Sequence, residues 1–174
     1  MIKYFIVLYF SLFNSLLLAE NVEECDLLAS NPFDAQKNKN IEEGVDFYEI
    51  NGKKALLACQ DAVKNYPQKP RFIYQLGRVL HFLEKYKEAK TKYQLAADKG
   101  HKIAYQMIGY INIELWQKGE LSKEDEKKTF DIFFSLANEK NHVGYDGLGT
   151  CYNVGIGTKI NYNKAINMKK LLVE

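Results

Sequence analysis

The sequence predicts an all-α protein in which antiparallel helix pairs stack into a solenoid, and three observations carry that expectation. Apolar residues recur at three- and four-residue steps, as in Phe72, Ile73, Leu76, Leu80 and Leu83, the stripe of a helix that buries one face. The set Ala55, Cys59, Ala62 and Pro67 returns as Ala89, Tyr93, Ala96 and His101 at a constant offset of 89 − 55 = 34 residues. An apolar residue followed by glycine recurs at Leu76-Gly77, Ile108-Gly109 and Leu148-Gly149. One helix pair cannot bury its apolar face alone, so such units need neighbours. A composition that is 47% apolar and 26% charged over 174 residues supports a core of ordinary domain size.

Taken in order, residues 1–19 form an apolar run from Tyr4 to Leu18 behind one basic residue, Lys3, with Ala19 at its end. The run is short for a membrane span and fits a signal peptide cleaved near Ala19; the alternative is an uncleaved anchor. Glu24 precedes Cys25 where a lipoprotein signal needs a small residue, which argues against lipid attachment. Residues 20–51 are irregular, with NPFD, KNKN and EEG, and read as a packed amino-terminal cap or a flexible leader; Cys25 favours the cap.

The helical part is expected over 52–174. Residues 52–69 are the second helix of a unit whose first helix is missing, with the segment around Cys25 in its place. Residues 70–101 form the central hairpin, turning near Lys85 and stopping at Gly100. Units over 102–142 and 143–174 follow. The glycine spacings of 32 and then 40 residues make the middle unit the long one, and the stretch from Trp116 to Asp125 is expected to protrude as a turn. The last helix is expected over Asn161 to Val173.

From Arg71 onward the chain resembles the Sel1-like branch of the tetratricopeptide repeat superfamily. The best match is GYDGLGTCYNVGIGTKINYNKAINMKK, where Leu148, Gly149, Tyr152, Gly155, Gly157, Tyr162, Lys164 and Ala165 fall in the family's order. The middle unit departs, with Trp116 where a glycine is usual and Thr129 where an alanine is. CDLLASNPFD and GVDFYEINGKKALLACQDAV are similar to the leader of secreted and periplasmic bacterial Sel1-like proteins. The resemblance implies a right-handed solenoid and an adaptor for proteins or peptides, in the periplasm or outside the cell. Some secreted relatives have been described as β-lactamase-like, which leaves an enzyme as one alternative and a structural envelope component as another.

Three cysteines in an exported chain invite a disulfide. Cys25 and Cys59 are the expected pair, because Cys59 should face the element that replaces the missing helix; two buried free thiols are the other reading. Cys151, inside the first helix of the last unit, reads as a small core residue. No catalytic residue, metal site or cofactor is expected. CxxC, HExxH and SxxK motifs are absent, and GLGTCYNVGIG carries Tyr152 where a dinucleotide fingerprint needs its third glycine. His101 and His142 share a repeat position at helix ends, where an imidazole packs or caps. A net charge of +2 gives no electrostatic case for nucleic acid, and membrane contact is expected only through the signal segment.

In stacked helix pairs the first helix of each pair lines the concave side. The non-core positions there are Tyr74, Arg78 and His81, then Gln106, Tyr110 and Glu114, then Asp146 and Thr150. Tyrosine and arginine are common binding hot spots, so this face is the candidate surface for a protein or peptide; simple solvation is the competing explanation.

Overall fold

A computed structural model describes residues 23–172, so the expected signal peptide lies outside the described residues. The described chain is all-helical, with no strand. Its eight α-helices are α1 (Glu24–Ala29), α2 (Gly52–Asn65), α3 (Pro70–Phe82), α4 (Tyr86–Asp98), α5 (Lys102–Gln117), α6 (Lys123–Asn138), α7 (His142–Val154) and α8 (Tyr162–Lys170), with a 3-10 turn at Phe47–Glu49. None is long and apolar enough to cross a membrane. Each helix packs chiefly on its neighbours in sequence, and one apolar core runs from Cys25 to Ile156.

Local chemistry sets the boundaries. Side chains of Asn51, Ser122 and Asn161 accept the backbone N–H three residues on, at 3.2, 3.1 and 3.0 Å, and so start α2, α6 and α8. Pro70 opens α3 where its missing N–H costs nothing. Helices α3 to α7 each end beside a residue with positive φ: Glu84, Gly100, Gly119, Lys140 and Gly155. Two of these are not glycine, so a sequence search for glycine stops finds only three of the five turns.

Several expectations shift in detail. The extra length of the middle unit goes into its helices, which run 16 residues each where α3 and α4 run 13. Trp116 therefore lies inside α5, packed against the core, and only residues 118–122 form the turn. The last helix ends at Lys170 rather than Val173. His101 and His142 are also out of register by one residue. His101 is the residue before α5 and is buried, whereas Asn141 holds that place before α7 and leaves His142 exposed.

The leader is a packed element. Its short helix α1 lies against α2 and α3, and a disulfide joins Cys25 to Cys59 with Cα atoms 4.6 Å apart. Closing this separation of 34 residues contributes about 3–4 kcal/mol on a loop-entropy argument. As a result, α3 is buried all round from Arg71 to Leu80.

A buried helix with three polar residues needs partners for each, and the leader supplies them. Asp26, fully buried, accepts from Arg71 Nε at 3.0 Å, Arg71 Nη2 at 3.2 Å, Gln75 Nε2 at 2.9 Å and Asn38 Nδ2 at 3.2 Å. Further along α3, Arg78 donates to the carbonyls of Ala29 at 2.9 Å and Val45 at 3.0 Å. Gln36 reaches the α4–α5 turn, donating to the Gly100 carbonyl at 3.2 Å and accepting from the Lys102 N–H at 2.7 Å. The leader thus caps the start of α5, which has no side-chain cap of its own.

Candidate functional site

Between the leader and helices α3 and α5 lies an open groove of about 350 Å³. Its floor is Arg78 and His81 from α3 with Met107, Tyr110 and Glu114 from α5. These fall on helical steps, so one stripe of each helix faces the same space. The opposite wall is leader: Phe33 from the NPFD turn, and Asp46, Phe47 and Tyr48 at the 3-10 turn, where Asp46 accepts the Tyr48 N–H at 3.0 Å.

The eight surface residues expected from the sequence fall into three groups. Tyr74 and Arg78 do not face open solvent, because the leader turns back over α3 and takes their polar atoms. Tyr74 is fully buried, its hydroxyl 2.7 Å from Asn31 Nδ2 and its ring stacked on His101 at 4.4 Å. Burial pushes the Tyr74 phenol up to about 12. Arg78 is buried too, its two arms taken by leader carbonyls, and only its edge reaches the groove. His81, Tyr110 and Glu114 do line the groove. Of the remaining three, Asp146 lies beside Tyr110, whose hydroxyl donates to it at 3.4 Å, Thr150 donates to the Asp146 carbonyl, and Gln106 is half-buried on α5 away from the groove lining.

Electrostatics in the groove are set by burial. His81 packs against Phe47 at 4.9 Å, with the Tyr93 hydroxyl 3.5 Å from its Nδ1. Desolvation first, and the Arg78 charge second, pull its pKa from 6.5 to about 4, so the ring is neutral near pH 7. Burial raises the Tyr110 phenol to about 12, with the Asp146 carboxylate adding to the shift. What remains charged at the groove is the two carboxylates and a guanidinium already engaged by the leader.

Sequence reasoning missed the leader wall. Phe33 and Tyr48 are each 86% exposed, an unusual state for large aromatic rings, yet they stand in turn-rich stretches where no periodicity marks a face. It also missed Asp26, whose neighbours Arg71 and Gln75 lie one helical turn apart and form a polar stripe on an otherwise apolar helix.

Away from the groove, Asp34 Oδ2 lies 3.2 Å from His101 Nε2 without forming a hydrogen bond to it. Cys151 is fully buried and its thiol is pushed up to about 12 by desolvation. A second depression, about 290 Å³, lies between α6, α7 and α8 around Phe134, Tyr145 and Met168, and holds none of the eight residues. Among the described residues no group of three or more His, Cys, Asp or Glu could hold a metal ion. Comparison of the chain with protein-family models and with curated proteins gives no match.

Proposed function

We propose that the protein is a non-catalytic scaffold of Sel1-like helix pairs, a right-handed solenoid that binds a protein or peptide segment in the groove between its leader and helices α3 and α5. The observation that carries this reading is the pair of aromatic side chains, Phe33 and Tyr48, held 86% exposed at the rim of an aromatic-walled groove. Exposed rings cost free energy in water, and burying them against a partner recovers it. Their backbone is fixed by the disulfide-tied leader, so little ordering is left to oppose binding.

The groove's titratable groups support binding rather than chemistry. A histidine with a pKa near 4 is a poor base at neutral pH, and Tyr110 stays protonated. The disulfide fits an oxidising compartment, which supports export to the periplasm or beyond after cleavage near Ala19.

A photoreactive phenylalanine analogue placed at Tyr48 in the producing cell tests the reading, with Leu57, a 63% exposed residue of α2, as control. The expected result is one discrete protein adduct at position 48 that is absent at 57 and lost when Phe33 is replaced by serine. Equal adducts at both positions, or none at 48, would sink the proposal.

A further inference from the structure

The groove's chemistry narrows the kind of segment it takes, and this step rests on the binding reading above. Two carboxylates border it: Asp46 on the leader side and Glu114 on α5. Neither forms an ion pair among the described residues. The guanidinium of Arg78 is spent on the carbonyls of Ala29 and Val45, where it holds the leader rather than a ligand. Those carbonyls are neutral and leave the guanidinium its charge, so Arg78, Asp46 and Glu114 together give the groove lining a net charge of +1 − 2 = −1, although the chain as a whole is net positive.

Alongside the two carboxylates the groove is lined by Phe33 and Tyr48 on the leader wall and by Tyr110 and Met107 on the floor. Ring faces attract cations, and the methylene stems of arginine and lysine cover apolar surface while their heads stay polar. An acidic side chain would meet two like charges in a partly desolvated space, and an all-aliphatic one would leave both carboxylates half-covered and unpaired.

We propose that the groove is specific for a basic segment of a partner protein, seating an arginine or lysine side chain against Phe33, Tyr48 and Tyr110 with its charge between Asp46 and Glu114, and adjacent aliphatic residues over Met107. Charge complementarity selects the sign, and the aromatic wall selects a long cationic side chain over a free metal cation.

Fluorescence anisotropy on the oxidised protein tests this with three fluorescein-labelled hexapeptides of alternating sequence: arginine with leucine, glutamine with leucine, and glutamate with leucine. The arginine peptide is expected to bind at least about tenfold more tightly than the glutamine one, with the glutamate peptide weakest. Glu114→Gln and Asp46→Asn should each weaken the arginine peptide by about threefold or more while leaving the thermal melt in place, and added salt should weaken it further. Because Asp46 also starts the 3-10 turn, Phe33→Ser at an exposed rim position serves as an independent variant and should weaken all binding. Equal binding of the three peptides, or an arginine affinity unchanged in Glu114→Gln, overturns the basic-segment proposal and leaves the groove as a binding site. Binding of none of them overturns both.

Discussion

Asp26 is the residue on which the leader's attachment converges. Its buried carboxylate accepts from Arg71, Gln75 and Asn38, and from the Glu23 N–H at 3.2 Å. Asparagine in its place removes the negative charge and one acceptor oxygen and turns an NH2 donor towards the donors of Arg71, Gln75 and Asn38, which costs more than the pair itself contributes. Asp26→Asn is expected to lower the unfolding free energy by about 3–5 kcal/mol in urea denaturation. A loss under about 1 kcal/mol would mean that the network is not buried as described. His81 gives a second prediction, with a defined sign. Its folded pKa of about 4 lies below the ordinary 6.5, so the unfolded chain binds the proton more readily. Stability from this group is complete above about pH 6.5 and is lost as pH falls towards 4, by up to about 3 kcal/mol. Urea midpoints of wild type and His81→Gln should therefore converge on acidification; a constant gap across that window contradicts the neutral, buried ring.

At the scale of elements, close helix approach depends on which glycines face a ring. A Cβ on Gly147 would meet the Phe133 ring at 2.1 Å, and one on Gly109 would meet the same ring at 2.6 Å, so Phe133 lies clasped between α5 and α7. A Cβ on Gly149 finds nothing nearer than Met168 Cβ at 3.6 Å. Gly147→Ala is expected to destabilise by about 1–3 kcal/mol through displacement of Phe133. Gly149→Ala, two residues away, should be neutral or stabilising by up to about 1 kcal/mol, since alanine is the better helix former. Thermal melts of the two variants check the contrast, and a reversal of order would contradict the packing of α6 against α7. The glycine pattern was legible as a recurrence, but the sequence did not reveal that the close approach to Phe133 falls on Gly147 rather than on Gly149 of the repeated pair. That difference depends on where Phe133 points, which no spacing encodes.

For the whole molecule, helical periodicity was enough to predict an all-helical chain, because it reports a face that must be buried locally. The disulfide was legible for the same reason, since Cys59 sits on the buried stripe of α2 with Ala55 and Ala62. The groove was legible only by half. His81, Tyr110 and Glu114 lie on periodic helices, whereas Phe33, Asp46 and Tyr48 are brought to it by an irregular leader whose course is set by long-range bonds: Arg78 to Ala29 and Val45, Gln36 to the α4–α5 turn, Asn31 to Tyr74. Those same bonds cover Tyr74 and Arg78, which a repeat-by-repeat reading leaves open. Any binding role of the groove thus depends on the leader being a fixed wall. Amide hydrogen exchange on the oxidised protein measures this most directly. The account predicts that the N–H groups of Ser30 and Val45, bonded to Asp26 O at 3.2 Å and Ser30 O at 2.7 Å, exchange on the slow timescale of α3. Exchange of these leader amides at the rate of an unstructured chain, with α3 still protected, would contradict it.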